Sequence, residues 1–238
     1  MIILSVDTTA GSASVGISEN GKIKSEFYID SGNTHSQTLL PMIEEAMKVT
    51  GLEAGDIDLF ALSAGPGSFT GVRIGAATVK GLAFAYNTPC VAVPTTEAMA
   101  YGLKFHKGII AAAVNARRGT VYFALFRGDG EGYPERLIAD CAVDAERAAE
   151  ILGGYSEPVM LCGDGASLVE KHCGCGLIPC PDLLNYPTAH GVSAVAERIY
   201  NGEADKSVFT NGNLLPVYLK KPQAEREREE RLAAEGNN

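Results

Sequence analysis

The chain opens with a mostly apolar run, Ile2 to Val6, that reads as a buried strand. A small polar turn, Asp7 to Ser12, follows. Ala13, Val15 and Ile17 then alternate with polar or small residues, the period-two pattern of a second strand. Asn20-Gly21 is a hairpin signal, because both residues tolerate positive φ, and Ile23 to Ile29 returns as a third strand. Helical spacing takes over at Leu39, Leu40, Ile43, Ala46 and Met47, with Thr34 or Ser36 to cap the helix and Gly51 to stop it. Ile57 to Ala64 is the next strand. Gly65-Pro66-Gly67-Ser68 is a loop, a second helix runs from about Thr70 to Tyr86, Cys90 to Val93 is a strand, and Thr95 or Thr96 caps a short helix to Leu103.

A second half repeats the theme. Ile109 to Ala116 and Thr120 to Arg127 read as paired strands across an Arg117-Arg118-Gly119 turn. Gly128 to Pro134 is expected to be a loop, and Asp144 to cap a helix through Leu152. Val159 to Cys162 is a strand ending in Gly163-Asp164-Gly165, and Pro187 to Tyr200 is a helix. The pattern predicts an α/β protein of two related lobes, residues 1–103 and a smaller 104–220, with the helix near 187–200 able to pack back on the first. Residues 221–238 form a charged tail.

Composition narrows the function classes. The 238 residues are 46% hydrophobic with a mean hydropathy of +0.04, and no apolar run is long enough to span a bilayer. The net charge of −9, with Lys and Arg scattered, argues against this chain gripping an RNA backbone alone. Six cysteines without a secretion signal are expected to be reduced, and the cytoplasm is the expected compartment. His172, Cys173, Cys175 and Cys180 could hold zinc, but their spacing is irregular and no metal is expected there.

Two loops have the makings of a phosphate grip: Asp7-Thr8-Thr9 at the end of the first strand and Gly163-Asp164-Gly165 before a helix. Each alone is also an ordinary turn. Together they resemble the paired phosphate loops of the actin, sugar-kinase and Hsp70 superfamily. The most distinctive stretch is Ser63-Ala64-Gly65-Pro66-Gly67-Ser68-Phe69-Thr70-Gly71-Val72-Arg73-Ile74-Gly75. It is neither a Walker loop nor a nucleophile elbow. Gly71 and Gly75 share a helix face at a cost of about 1 kcal/mol each, which is useful where another backbone comes close, either this chain's own sheet or a second protein.

That stretch, with Asp7-Thr8-Thr9, His35-Ser36, Leu39-Leu40-Pro41 and Pro216-Val217-Tyr218-Leu219, resembles the signature of the TsaB (YeaZ) family. The resemblance implies a two-lobed actin-like fold with mixed sheets flanked by helices and a reduced second lobe. It implies a non-catalytic subunit of the complex that installs threonylcarbamoyl on adenosine 37 of tRNAs reading codons that start with A. The partners would be TsaD as heterodimer and TsaE in the larger complex, with a homodimer in isolation and tRNA met only through the complex. No cofactor would be required, with ATP or ADP entering at the level of the complex.

TsaD-like proteins carry a His-x-Glu-Gly-His metal motif where this chain has Thr95-Thr96-Glu97-Ala98-Met99; threonine and methionine cannot replace its two imidazoles. The partner interface is expected on His35, Leu39, Ile43, Met47, Gly71, Val72, Arg73, Gly75, Ala76 and Val79, so that Ile43→Asp or Gly75→Arg would break association and spare the fold. The alternative is a nucleotide-binding kinase-like or hydrolase (glycoprotease-like) enzyme of the same fold. Against it stands Ser63-Ala64-Gly65, where a second catalytic acid would be needed.

Overall fold

The structure, a computed structural model, describes residues 1–174 and 176–220; the charged tail and Cys175 lie outside the described residues. The opening meander forms as the alternation predicts: β1 (Ile2–Asp7), β2 (Ala13–Glu19) and β3 (Lys22–Ile29) are antiparallel neighbours. Asn20 and Gly21 make the turn with φ of 49° and 77°, the pair of left-handed residues that matches the strand twist. Helix α1 (His35–Thr50) starts at Thr34, whose N–H donates to Gln37 Oε1 at 3.3 Å, and ends on a left-handed Gly51. β4 (Leu59–Gly65), α2 (Phe69–Tyr86) and β5 (Cys90–Pro94) complete a sheet of order β3-β2-β1-β4-β5, with β4 parallel to both β1 and β5.

Helix α3 (Thr95–Gly102) leads to a second sheet built from β6 (Lys107–Asn115), β7 (Thr120–Asp129), β8 (Glu135–Asp144), β9 (Val159–Cys162) and β10 (Leu177–Pro179). Its order, β10-β9-β6-β7-β8, is the first sheet's order with each strand replaced by its counterpart. β8 and β10 were not expected from the hydrophobic pattern. α4 (Ala145–Gly153) begins at Asp144, but that side chain makes no capping hydrogen bond; the helix's first N–H donates to Gly119 O instead. α5 (Ala166–Glu170) follows the β9 loop. The second lobe is reduced in its last two strands and in α5, not in strand number.

Each sheet is buried on both faces. α1 and α2 cover one face of the first sheet through Leu39, Ile43, Ala76 and Val79, packed on Leu4, Val15, Phe60 and Leu62. α6 (Ala189–Gly202) covers the other, with Val192, Val195 and Ala196 against Ile3, Leu59 and Val93. The small residues of β1 and β2 explain how closely it sits: Ser5 Oγ donates to Ala189 O at 2.8 Å, and Ala189 N–H donates to Ser14 Oγ at 2.7 Å. A Cβ on Gly16 would lie 2.8 Å from that of Ala189. α3 joins the lobes, giving Ala98 to the α6 cluster and Met99, Ala100 and Leu103 to the second sheet. No helix among the described residues is long and apolar enough to cross a membrane.

Candidate functional site

The parallel strands β1, β4 and β5 end together at Asp7, Gly65 and Pro94, the edge where open α/β sheets commonly bind ligands. Here that edge is filled by the chain itself. Asp7 is 1% exposed. Its carboxylate accepts from Thr9 N–H at 3.1 Å and Thr9 Oγ1 at 2.9 Å. Burial pushes its carboxyl up to about 6, against the opposing pull of the Ser63 hydroxyl, the Thr9 donors and His35. Ser63 Oγ faces it but lies outside hydrogen-bonding geometry, as does the buried Thr95 hydroxyl toward its own neighbours. Thr8 Oγ1 donates to Gly71 O at 2.8 Å, Ser68 N–H donates to Thr9 O at 2.7 Å, and His35 Nε2 lies 2.9 Å from Ala10 O. Asp7-Thr8-Thr9 is therefore a rivet between β1 and the starts of α1 and α2.

Gly163-Asp164-Gly165, at the matching edge of the second sheet, is engaged in the same way. Gly163 N–H donates to Asn185 Oδ1 at 2.8 Å and Gly165 N–H to Ala113 O at 2.9 Å, while Asp164 Oδ1 accepts from Asn115 N–H at 2.7 Å. Gly163 has φ of +107° and a Cβ there would sit 2.0 Å from Ala113 O, so only glycine fits. Arg117 and Arg118 lie at the β6–β7 hairpin tip, both with positive φ.

The expected interface residues separate into two sets. Leu39, Ile43, Val72, Ala76 and Val79 are at most 5% exposed and belong to this chain's core. A Cβ on Gly71 would meet Thr8 O at 2.0 Å, and one on Gly75 would meet Thr8 Oγ1 at 2.5 Å and Leu62 Cδ1 at 2.7 Å. These seven serve internal packing, and Ile43→Asp or Gly75→Arg would break the fold before any association. Met47 and His35 are half-buried. Arg73 is exposed: its guanidinium lies 3.7 Å over the Phe69 ring and its Nε–H donates to Tyr218 at 2.8 Å. Tyr218 belongs to a strap that crosses the Gly65-Pro66 loop, where Val217 N–H donates to Ala64 O at 2.7 Å.

The outward face is Leu40 on α1, which the helical spacing groups with the core-facing stripe, with Ala77, Gly81 and Phe84 on α2; Ile74, half-buried against the first core cluster, borders it. The α2 positions recur every three or four residues, one stripe of the helix. Phe84 is 77% exposed and Leu40 47%.

At the positions set against the His-x-Glu-Gly-His motif by the resemblance, Thr95 and Met99 are buried, and Glu97 is fully engaged by arginines. Its carboxylate pairs with Arg136 of β8 at 2.9 Å and with Arg198 of α6. Arg136 also pairs with Asp140 at 3.1 Å, and Thr96 Oγ1 hydrogen-bonds the same Asp140. This knot joins α3, β8 and α6. Cys173 packs with the α4 side of the second sheet and Cys180 with the α3 side, so the sheet divides the cysteine cluster. Among the described residues no three His, Cys, Asp or Glu side chains converge as metal ligands. A depression of about 380 Å³ lined by Glu146, Glu150 and His172 touches none of these loops.

Comparison with known proteins agrees with this geometry. The family model described as TsaD, tRNA N6-adenosine threonylcarbamoyltransferase, matches residues 30–161, more than half of the chain. The tRNA threonylcarbamoyladenosine biosynthesis protein TsaB of Escherichia coli is 37% identical over 56% of this chain, a match that spans 58% of that protein's length. The TsaB of Bacillus subtilis is 26% identical over 94% of this chain and 96% of its own. Among solved structures, YeaZ from Pseudomonas aeruginosa superposes with a TM-score of 0.80 at 27% identity, covering 92% of this chain and 99% of that one. The two-sheet architecture is the actin-like α/β fold. The chain thus belongs to the family that the TsaD model describes, and within it to the TsaB (YeaZ) members.

Proposed function

We propose that this chain is a non-catalytic subunit in tRNA threonylcarbamoyladenosine biosynthesis, and that it acts by binding TsaD through the outward face of α1 and α2. The observation that carries the reading is the stripe of Leu40, Ala77, Gly81 and Phe84 on helices whose opposite faces are already buried. A phenylalanine 77% exposed amid small residues suits a partner helix: Ala77 and Gly81 allow close approach and Phe84 supplies the anchor. The related fold of a TsaD would offer an equivalent helix pair.

Several features support the absence of catalysis by this chain. The backbone donors at Gly163 and Gly165 are already satisfied, Asp7 is sealed from solvent, and Glu97 is held by Arg136 and Arg198. ATP or ADP then belongs to the complex, tRNA is met through it, TsaE joins it, and the cytoplasm is its place. Without TsaD, the same face would pair with a second copy of the chain.

Phe84→Asp tests this. Burying the exposed part of one phenylalanine, roughly 150 Å², contributes about 2–4 kcal/mol, or roughly 30- to 700-fold in Kd. Co-elution with TsaD and threonylcarbamoyl transfer by the reconstituted complex are expected to fall together, with the variant's thermal midpoint unchanged. Full co-elution of a folded variant would overturn the proposed face. Turnover of ATP by the chain alone would overturn the non-catalytic role.

A further inference from the structure

Two cysteines that play no part in the proposed function are brought side by side by the second sheet. β10 runs parallel to β9 with Leu177 beside Val159, Ile178 beside Met160 and Pro179 beside Leu161. One step further along, Cys180 comes beside Cys162. Side chains alternate across a sheet, and the packing follows that rule. Leu177, Val159 and Leu161 face the cluster under α4, whereas Met160, Cys162 and Cys180 face the one that contains Met99 and Leu184. Both thiols therefore leave the sheet on the same side. Neighbouring strands lie about 4.8 Å apart, within the Cα separation of roughly 4.4–6.8 Å that a disulfide spans. Independently of the register, the charge of Cys180 is felt at Cys162.

We propose that Cys162 and Cys180 are a reversible dithiol–disulfide pair, oxidised by a small-molecule disulfide, that cross-links β10 to β9. Cys180 is half-buried and Cys162 fully buried, which sets the order of events. The Cys180 thiol loses its proton and its sulfur attacks one sulfur of the oxidant. The oxidant's S–S bond breaks, and one small thiolate leaves and takes up a proton. The Cys162 sulfur, deprotonated in turn, attacks Cys180 Sγ in the mixed disulfide and expels the second small thiol. Two protein thiols are oxidised and one small disulfide is reduced to two thiols. Burial raises the Cys180 thiol to about 11 and the Cys162 thiol well above its usual value, so the exchange accelerates as pH rises.

The cross-link would fix a stretch that bridges the lobes. Just beyond Cys180, Asn185 Oδ1 accepts the Gly163 N–H. Tyr186 senses Asp164 of the second lobe and Tyr28 and Asp30 at the end of β3 in the first. In the reduced protein this bridge is held by such contacts; in the oxidised one it would be tied covalently to β9.

The test uses the full reduced chain, oxidised glutathione at pH 9, then unfolding in guanidinium, alkylation with iodoacetamide and tryptic mass mapping. Two of the six thiols are expected to escape alkylation. The peptide ending at Lys171, which carries Cys162 alone, should be joined to the one ending at Arg198, which carries Cys173, Cys175 and Cys180. Fragmentation of the wild-type linked peptide should assign the bond to Cys180. The link should vanish in Cys180→Ser, persist in Cys173→Ser and Cys175→Ser, and reverse with dithiothreitol. Full alkylation of the oxidant-treated protein once unfolded, or a wild-type bond mapped to Cys173 or Cys175, would overturn the proposal.

Discussion

Gly71→Ala and Gly81→Ala, two identical substitutions ten residues apart in α2, should shift stability in opposite directions. At Gly71 the new Cβ would lie 2.0 Å from Thr8 O and 3.2 Å from His35 Cδ2, where ordinary contact begins at 3.4 Å. The obstacle is a backbone carbonyl at the end of a buried strand, so either β1 or the helix must move. Overpacking of this kind costs about 1–3 kcal/mol. Displacement also weakens the Thr8 Oγ1 to Gly71 O hydrogen bond, worth about 1 kcal/mol. Against this, alanine improves helix propensity by about 1 kcal/mol. The net is a loss of about 2 kcal/mol, which for a protein of this size lowers the midpoint by roughly 4–8 °C. At Gly81 nothing lies within 4 Å of the new Cβ. Only the propensity gain remains, and the midpoint should rise by roughly 2–4 °C.

Thermal and urea melts of the isolated chain would measure both, at concentrations low enough that the midpoint does not depend on protein concentration. The informative quantity is the difference in sign. If Gly71→Ala proved neutral or stabilising, the close seating of α2 on Thr8 would be wrong. The case for Gly71 and Gly75 as internal packing residues would fall with it.

Three further outcomes follow from the same contacts. The folded-state pKa of Asp7, about 6, lies above its unfolded value near 3.8, so the stability that Asp7 contributes is fully present below pH 3.8 and is lost as pH rises through 6. The difference between wild-type and Asp7→Asn stability should therefore move by about 2 kcal/mol between pH 4 and pH 7, and a pH-independent difference in urea melts would contradict the buried carboxyl. Arg136→Ala strips Glu97 and Asp140 of a shared partner in a half-buried network and should cost about 2 kcal/mol, with thermal melts as the readout and no loss as the contrary result. Gly65→Ala places a Cβ 2.5 Å from Val217 O at a backbone φ of +114°; it should loosen the strap and speed amide exchange at Val217, and unchanged exchange would refute the contact.

The meander, the two helices after it and the repeated strand pair were legible because period-two and period-3.6 patterns with glycine stops report burial directly. β8 was not. In Glu135–Asp144 both faces are half-buried, and Arg136 and Asp140 turn inward to a salt-bridge knot whose other members come from α3 and α6. β10 is three residues ending in proline and exists only because β9 offers an edge. The expected interface fell largely on buried residues for a related reason. α2 is apolar or small nearly all round, so its sequence cannot tell the stripe that meets the sheet from the stripe that meets solvent. Whether Gly71 and Gly75 accommodate the chain's own backbone or another protein's depends on where Thr8 lies, which the sheet decides. That Thr95 and Met99 offer no imidazole was readable, but that Arg136 and Arg198 engage Glu97 was not.

The two lobes share one strand order, so each presents the same ligand-binding edge, and in each the edge is consumed by the chain's own groups. Asn185 takes the Gly163 N–H, and Asp7 turns inward to Thr9. The first of these edges seats α2 instead. Gly67, Gly71 and Gly75 let that helix press against Thr8 and Thr9, and His35 ties α1 to the same turn through Ala10. The Asp7-Thr8-Thr9 turn thus fixes the mutual position of the two helices that carry the outward apolar stripe. On this view a disturbance at Thr8 should weaken partner binding without touching a partner-facing atom. Thr8→Val, which keeps the shape and removes the hydroxyl that Gly71 O accepts from, separates the two roles. It should loosen α2 by about 1 kcal/mol and weaken TsaD binding while Phe84 remains in place. Retained affinity alongside the lost stability would mean that the outward face is set by the sheet alone.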